Sequence, residues 1–345
     1  MSDARRIERR YGLLVGALFA GYMGFAVGLY LWRGIYFTPD RWAIFLLIGA
    51  LLTGRLLAFA RDWIPFVLLI FGYEVLRGIA GTIVTAGDLS MRLRGDYPNV
   101  QLEGLISADR AMFGGRVPTL WLQEKLYDPG IVHWYDIAAL LFYALHFVFP
   151  LMFAFMLWLR VRERFWQFSL TFLFMTYSAF IFFVLYPAAP PWLAHRWGLL
   201  PGLAYPADQA IRVIAPDRFG ALDTVAIWGN ASPNPVAAMP SLHAAFPWLV
   251  MLFAVRYFGK RGLLFLPYNL MLWFSVVYLS QHWVIDILAG MVWATISFGL
   301  ILLLWPITGR GAAIPFLAPL RARINRARPT SPRWSLRSRV LPRRS

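Results

Sequence analysis

Two histidines stand at the mouths of apolar segments in this chain. The first lies in NPVAAMPSLHAAFPW (Asn234 to Trp248), where Pro240, Ser241 and His243 lead into an apolar run. The second lies in YLSQHWVIDILAG (Tyr278 to Gly290), where His282 and Asp286 are four positions apart. On a helix that spacing puts both side chains on one face, about a turn from each other. A carboxylate there can accept a hydrogen bond from one imidazole nitrogen, leaving the other unprotonated and available as a nucleophile. Pro240 suits a first helical turn, and the free N–H groups of a helix start bind anions, phosphate especially. The set offers one imidazole to attack phosphorus, another to protonate the departing oxygen, and a helix start to hold the phosphoryl oxygens.

The elements that must position these groups are membrane helices. The chain has 345 residues, of which 59% are hydrophobic, 17% aromatic and only 14% charged. A soluble domain of this length would carry about a quarter charged residues. Apolar runs near twenty residues recur, each long enough to cross a hydrocarbon core of about 30 Å. The expectation is an all-α polytopic membrane protein with eight spans, at 11–32, 42–60, 62–84, 134–159, 165–187, 237–257, 262–281 and 283–306. Only Arg61 and Asp62 separate the second span from the third, so a tight hairpin is expected there, with one long broken helix as the alternative.

Loop charge gives an orientation. With the N-terminus inside, Arg5 to Arg10, Arg61, Arg160 to Arg164, Arg256 to Arg261 and the C-terminal tail all fall on one side. The long loops on the other side are balanced: 85–133 holds five basic and six acidic residues, and 188–236 three of each. The positive-inside rule then makes both termini cytoplasmic and places Ser241, His243 and His282 at the outer face of the cell membrane. The two outer loops are too long to be mere connectors and are expected to cap that face. Within the first, VPTLWLQEKLY (Val117 to Tyr127) reads as an amphipathic helix lying in the interface.

The net charge of +16 owes much to ten arginines between Arg310 and Ser345, a stretch with no acidic residue. Beside a span, such a tail (309–345) reads as a cytoplasmic segment facing anionic lipids, not as a nucleic-acid site. The chain has no cysteine, which excludes disulfides, thiol nucleophiles and thiolate metal sites. No cluster of further ligands accompanies the His–Asp pair, so neither metal nor cofactor is expected. His133 and His146 read as packed, hydrogen-bonded histidines, and Asp136 as a cap or partner near the start of its span.

PSLH followed about forty residues later by HWVID resembles the second and third signature motifs of the type 2 phosphatidic acid phosphatase superfamily. YPAAPPW (Tyr186 to Trp192) and NPVAAMPSLHAA resemble the branch that includes fungal inositol phosphorylceramide synthase, the aureobasidin target, and many bacterial relatives. YEVLRG (Tyr73 to Gly78) and FGGRVPTLWLQ (Phe113 to Gln123) are similar to those bacterial relatives, and the likeness spans about 62–306. The resemblance implies that His282 is the nucleophile that becomes phosphohistidine, Asp286 its orienting partner, His243 the general acid and Ser241 a phosphate contact. It also implies a metal-free core of six helices, here 62–308, with the two spans of 1–61 added in front.

Two departures matter. The superfamily's first motif, a Lys with Arg-Pro six residues on, is missing, and Val276 stands where the third motif carries Arg. Phosphoryl transfer needs cations around the equatorial oxygens. Arg77 is the first candidate to supply one, although Glu74 could simply neutralise it; Arg110, Arg116 and the pair His195 and Arg196 follow. The leading expectation is an enzyme that transfers a phosphoryl-linked group from a lipid phosphate or phospholipid to an alcohol acceptor. With water as acceptor the same site is a lipid phosphatase. A transporter using Arg77 and His146 is the non-enzymatic alternative, but the repeated halves common in transporters are not visible.

Overall fold

The computed structural model describes residues 39–84, 100–214 and 234–305, together with Gly21. The expected span at 11–32, apart from Gly21, and the arginine tail lie outside these residues. The chain divides into two compact units, Met1–Leu302 and Leu303–Ser345, and the site is built within the first.

The described residues are helical. α1 (Pro39–Leu52) turns into α2 (Leu56–Val84), and the first long loop carries α3 (Glu103–Met112) and α4 (Pro118–Leu126). α5 (Trp134–Leu145), α6 (Val148–Arg160) and α7 (Arg162–Leu185) follow, then α8 (Pro191–Arg196) and α9 (Pro206–Ile214) in the second long loop. α10 (Leu242–Phe258), a 3-10 stretch (Gly259–Phe265), α11 (Leu266–Tyr278) and α12 (Val284–Leu304) complete the set. Among the described residues, three helices are long and apolar enough to cross a bilayer: Leu56–Ala80, Arg162–Leu185 and Val284–Leu304. α5 and α6 add a fourth crossing if the pair is one span bent by 50°. This is a helical membrane protein.

The turn between the second and third expected spans sits at Thr53–Arg55, not at Arg61 and Asp62. Gly54 adopts φ +67°, which a residue with a side chain resists, and Arg55 N–H closes onto Ala50 O at 2.9 Å. Asp62 needs no break, because its charge is met inside the bundle. Arg162 binds it with two guanidinium nitrogens, Nε at 2.6 Å from Oδ2, and Trp158 Nε1 donates to Oδ2 at 3.1 Å. An acid paired in this way can stay in a helix whose neighbours are Trp63 and Phe66.

The bend between α5 and α6 also has a sequence cause. Pro150 has no N–H, and its ring crowds the carbonyl four residues earlier, that of His146. The bend falls at His146 and Phe147.

One apolar cluster joins α1, α2, α6, α7 and α10 through Trp63, Phe66, Phe165, Phe168, Phe172 and Phe253. A second lies within the two long loops and joins Leu105, Trp192, Leu193 and Val236 to Trp283. Two parallel bridges, Gln101 with Ala188 and Ala188 with Ala237, stitch three separate stretches of chain together there. The described parts of both long loops, 100–133 and 188–214, are thus packed together.

α4 exists where an amphipathic helix was expected, but its inward face is polar. Thr119 and Gln123 are buried while Trp121 is exposed. The Gln123 amide accepts from Ala204 N–H and donates to Tyr278 O and Ser280 Oγ, each at 2.8 Å. A side chain that satisfies three inward-facing groups outweighs the apolar residues spread around the helix, so α4 braces α11 and its following turn.

Candidate active site

The turn after α11 presents His282. Ser280 adopts φ +65°, and the N–H groups of Gln281 and His282 both donate to Val276 O, at 2.8 and 3.1 Å. Gln123 holds the Ser280 hydroxyl from one side, and Trp192 N–H donates to Ser280 O at 3.0 Å from the other. Trp283 Nε1 donates to Ala189 O at 2.8 Å, which ties the YPAAPPW segment to the same turn. His282 thus precedes the helix instead of lying on it, and the four-residue spacing to Asp286 works differently from a helix-face pair. Asp286, in the first turn of α12, reaches back to Trp283 N–H at 3.0 Å, the carboxylate half of a capping box. The same oxygen, Oδ2, faces His282 Nδ1 at 3.4 Å. Both residues are buried.

A second carboxylate, absent from the sequence reading, secures this helix. Asp109 of α3 accepts the N–H groups of Val284 and Ile285, one on each oxygen, both at 3.0 Å. Burial raises its pKa to about 6, against the opposing pull of those two bonds, and the charge of Asp286 adds to the rise. The start of α12 is therefore already occupied by carboxylates. An acidic residue in an apolar-faced outer helix was the available signal, but nothing local in the sequence links position 109 to position 284.

The start of α10 is different. Ser241 is its N-cap: the hydroxyl accepts Ala244 N–H at 3.3 Å and the backbone N–H donates to Asp286 O at 3.0 Å. The N–H groups of Leu242 and His243 have no intrahelical partner by their position, so this is the helix start suited to an anion. The two helix starts can approach so closely because Gly290 has no side chain. A Cβ there would collide with the carbonyl oxygen of Ser241, a backbone atom that cannot step aside. Gly290→Ala should cost roughly 1–3 kcal/mol through overpacking. By displacing His243 from His282 it should also lower turnover about 100-fold. Thermal melts and steady-state rates read these separately, and wild-type turnover in the variant would contradict this account of the close approach.

These constraints bring His243 Nδ1 to 2.8 Å from His282 Nε2. A carboxylate only accepts, so His282 Nδ1 carries the proton facing Asp286 and its Nε2 carries a lone pair. His243 Nδ1 is then the donor between the rings. Asp286, His282 and His243 form one hydrogen-bonded line, with a nucleophilic nitrogen facing a proton donor. Beyond His243, Tyr143 stacks on its ring at 4.9 Å between centroids, and the His146 ring lies 4.0 Å away. His146 is packed and hydrogen-bonded, as the sequence reading expected, with Nδ1 2.6 Å from Tyr143 O, and one of the rings it packs on is that of His243. The signal was present, since His-x-x-Phe-Pro occurs twice, as HFVFP at 146–150 and HAAFP at 243–247.

The other candidates divide. Arg77 pairs with Glu74 at 3.0 Å, yet its guanidinium lies in electrostatic reach of His146 and His243. Arg110 and Arg116 are exposed around the end of α3, and no contact sets them against the histidines. His195 Nδ1 is 2.7 Å from Leu200 O and so braces its own loop, next to Arg196. Asp136 accepts His133 N–H at 2.8 Å and the Tyr278 hydroxyl at 2.5 Å, the capping role expected of it. His133 caps α5 from a partly exposed position near Asp128, at 3.6 Å.

Residues 105–300 match the family description PAP2 superfamily. The phosphoinositol dihydroceramide synthase of Bacteroides thetaiotaomicron is 28% identical over 206 residues, covering 58% of this chain and 66% of that protein. The inositol phosphorylceramide synthase catalytic subunit of Schizosaccharomyces pombe is 31% identical over 136 residues, covering 37% and 30%. That of Saccharomyces cerevisiae is 32% identical over 116 residues, covering 33% and 28%. The matched stretch spans less than two thirds of each of these relatives. No solved structure matches the chain. Both motif histidines and Asp286 fall inside the matched stretch, on the helix starts that press them together, and the chain belongs to the PAP2 superfamily.

Proposed function

We propose that this protein is a lipid phosphotransferase working through a phosphohistidine on His282. The observation that carries the proposal is the line from Asp286 through His282 to His243, at 3.4 and 2.8 Å. In the first half-reaction His282 Nε2 attacks phosphorus, the bond from phosphorus to the leaving oxygen breaks, and His243 gives that oxygen a proton. In the second, an acceptor hydroxyl attacks the phosphohistidine, the N–P bond breaks, and the hydroxyl proton returns to His243. Asp286 keeps the Nδ1 proton of His282 in place and supports the positive charge that phosphorylation creates. The start of α10 and Arg77 are the groups suited to the phosphoryl oxygens; Ser241 serves there by capping the helix.

The relatives' names, synthases of inositol phosphorylceramide and phosphoinositol dihydroceramide, favour a phosphoinositol donor and a sphingoid alcohol acceptor over water. Purified protein incubated with labelled phosphoinositol lipid, with and without ceramide, tests this. A new labelled lipid that requires the acceptor is the expected product. Labelled inositol phosphate released with or without ceramide would make water the acceptor and the protein a hydrolase, and no labelled product would end the reading.

The site is proposed to face outward, with both termini, the basic loops and the tail at 309–345 on the cytoplasmic, anionic-lipid side of the cell membrane. The loop charges support this. Single cysteines at Lys260 and Leu199, both exposed in a cysteine-free chain, should react with an impermeant thiol reagent from opposite sides. Outside labelling at 260 would overturn the orientation.

A further inference from the structure

His146 stands outside the two motifs, yet its ring contacts that of His243, with centroids 4.0 Å apart at 45°. It is presented by the bend between α5 and α6, and its Nδ1 is 2.6 Å from Tyr143 O. A carbonyl only accepts, so Nδ1 carries a proton bound there and Nε2 is the nitrogen left for other work. Tyr143 therefore acts twice: its ring stacks on His243 at 4.9 Å, and its carbonyl fixes the tautomer of His146.

The chemistry of His243 creates a need for such a neighbour. Its Nδ1 proton is the one that faces the reacting centre. A neutral imidazole that gave up that proton would become an imidazolate, a species far too basic to form in this exchange. Nε2 must therefore be protonated before Nδ1 donates, so that His243 passes from imidazolium to neutral as the leaving oxygen gains its proton. Two adjacent rings cannot both carry a full positive charge cheaply in a membrane interior. The ring beside His243 must therefore stay neutral while His243 carries the charge.

We propose that His146 is a positioning residue for the general acid: fixed as a neutral imidazole by Tyr143 O, it holds the ring of His243 so that Nδ1 stays aimed at the reacting centre. The inference rests on the phosphohistidine reading above. Donation takes the Nδ1 proton of His243 to the leaving oxygen, and the acceptor hydroxyl returns a proton to Nδ1 in the second half-reaction, so no proton is lost over a cycle.

The test uses the full-length protein with His146→Gln and His146→Phe, reconstituted in lipid. Gln keeps a donor for Tyr143 O but cannot titrate, and Phe keeps the ring. Formation of phosphoenzyme is followed by rapid quench with two substrates, a labelled lipid phosphate and 4-nitrophenyl phosphate, whose phenolate leaves without a proton. Both variants should be slowed about tenfold or more with the lipid phosphate, and little changed with the nitrophenyl ester. Wild-type rates with the lipid phosphate in either variant would overturn the proposal. So would an equal loss with both substrates, since that marks a structural defect. A wild-type protein that forms no phosphoenzyme from either substrate would remove the underlying reading, and this inference with it.

Discussion

His282→Ala is expected to abolish turnover of every substrate, whatever its leaving group. The variant lacks the one nitrogen that is both buried beside Asp286 and turned toward a proton donor. Loss of a nucleophile that works as part of a unit costs about six orders of magnitude in a serine protease, and a loss of at least about 10⁴-fold is expected here. The fold should survive, because the backbone contacts of this turn run through Val276 O, Ser280 and Trp283 and not through the imidazole. Rates and a thermal melt measured together check this, and residual turnover near the wild-type rate would remove His282 from the mechanism.

His243→Ala should instead discriminate between substrates. With a lipid phosphate the departing alkoxide needs a proton, and the loss is expected at about 10²–10⁴-fold. With 4-nitrophenyl phosphate the rate should be unchanged or higher, because the substitution frees His282 Nε2 from its 2.8 Å contact with His243. That contact also says something about the resting state: phosphorus cannot sit between two nitrogens so close, so substrate must part the rings. Equal losses with the two esters would mean that His243 does something other than protonate the leaving group.

Much of the core of this site was legible in the sequence, for physical reasons that can be named. Ionisable groups are costly inside a bilayer, so His243, His282 and Asp286 stood out from an apolar background. Pro240 was expected in a first helical turn, but α10 begins at Leu242 with Ser241 as its cap, which leaves the proline just outside the helix. What escaped was long-range. Asp109 reaches α12 across 175 positions and Gln123 reaches Tyr278 across 155, and no periodicity connects such pairs. His146 is the packed, hydrogen-bonded histidine it was expected to be, but that it packs on His243 depends on a contact across 97 positions at the bend before Pro150, which no local rule shows. The hairpin was misplaced by eight residues because charge was read as a break, whereas Asp62 finds its partner in Arg162 and the chain turns at Gly54. Arg77 pairs with Glu74 at 3.0 Å, the neutralisation that its spacing in YEVLRG allowed.

The central claim is that phosphorus becomes bonded to His282. Rapid acid-free quenching of the wild-type protein with a lipid phosphate labelled at phosphorus, followed by peptide mapping, measures this most directly. The expected result is label that is stable to base, labile to acid and carried by the peptide containing His282, absent from His282→Ala and accumulating in the absence of acceptor. Turnover without any protein-bound label, or label on another residue, would contradict it.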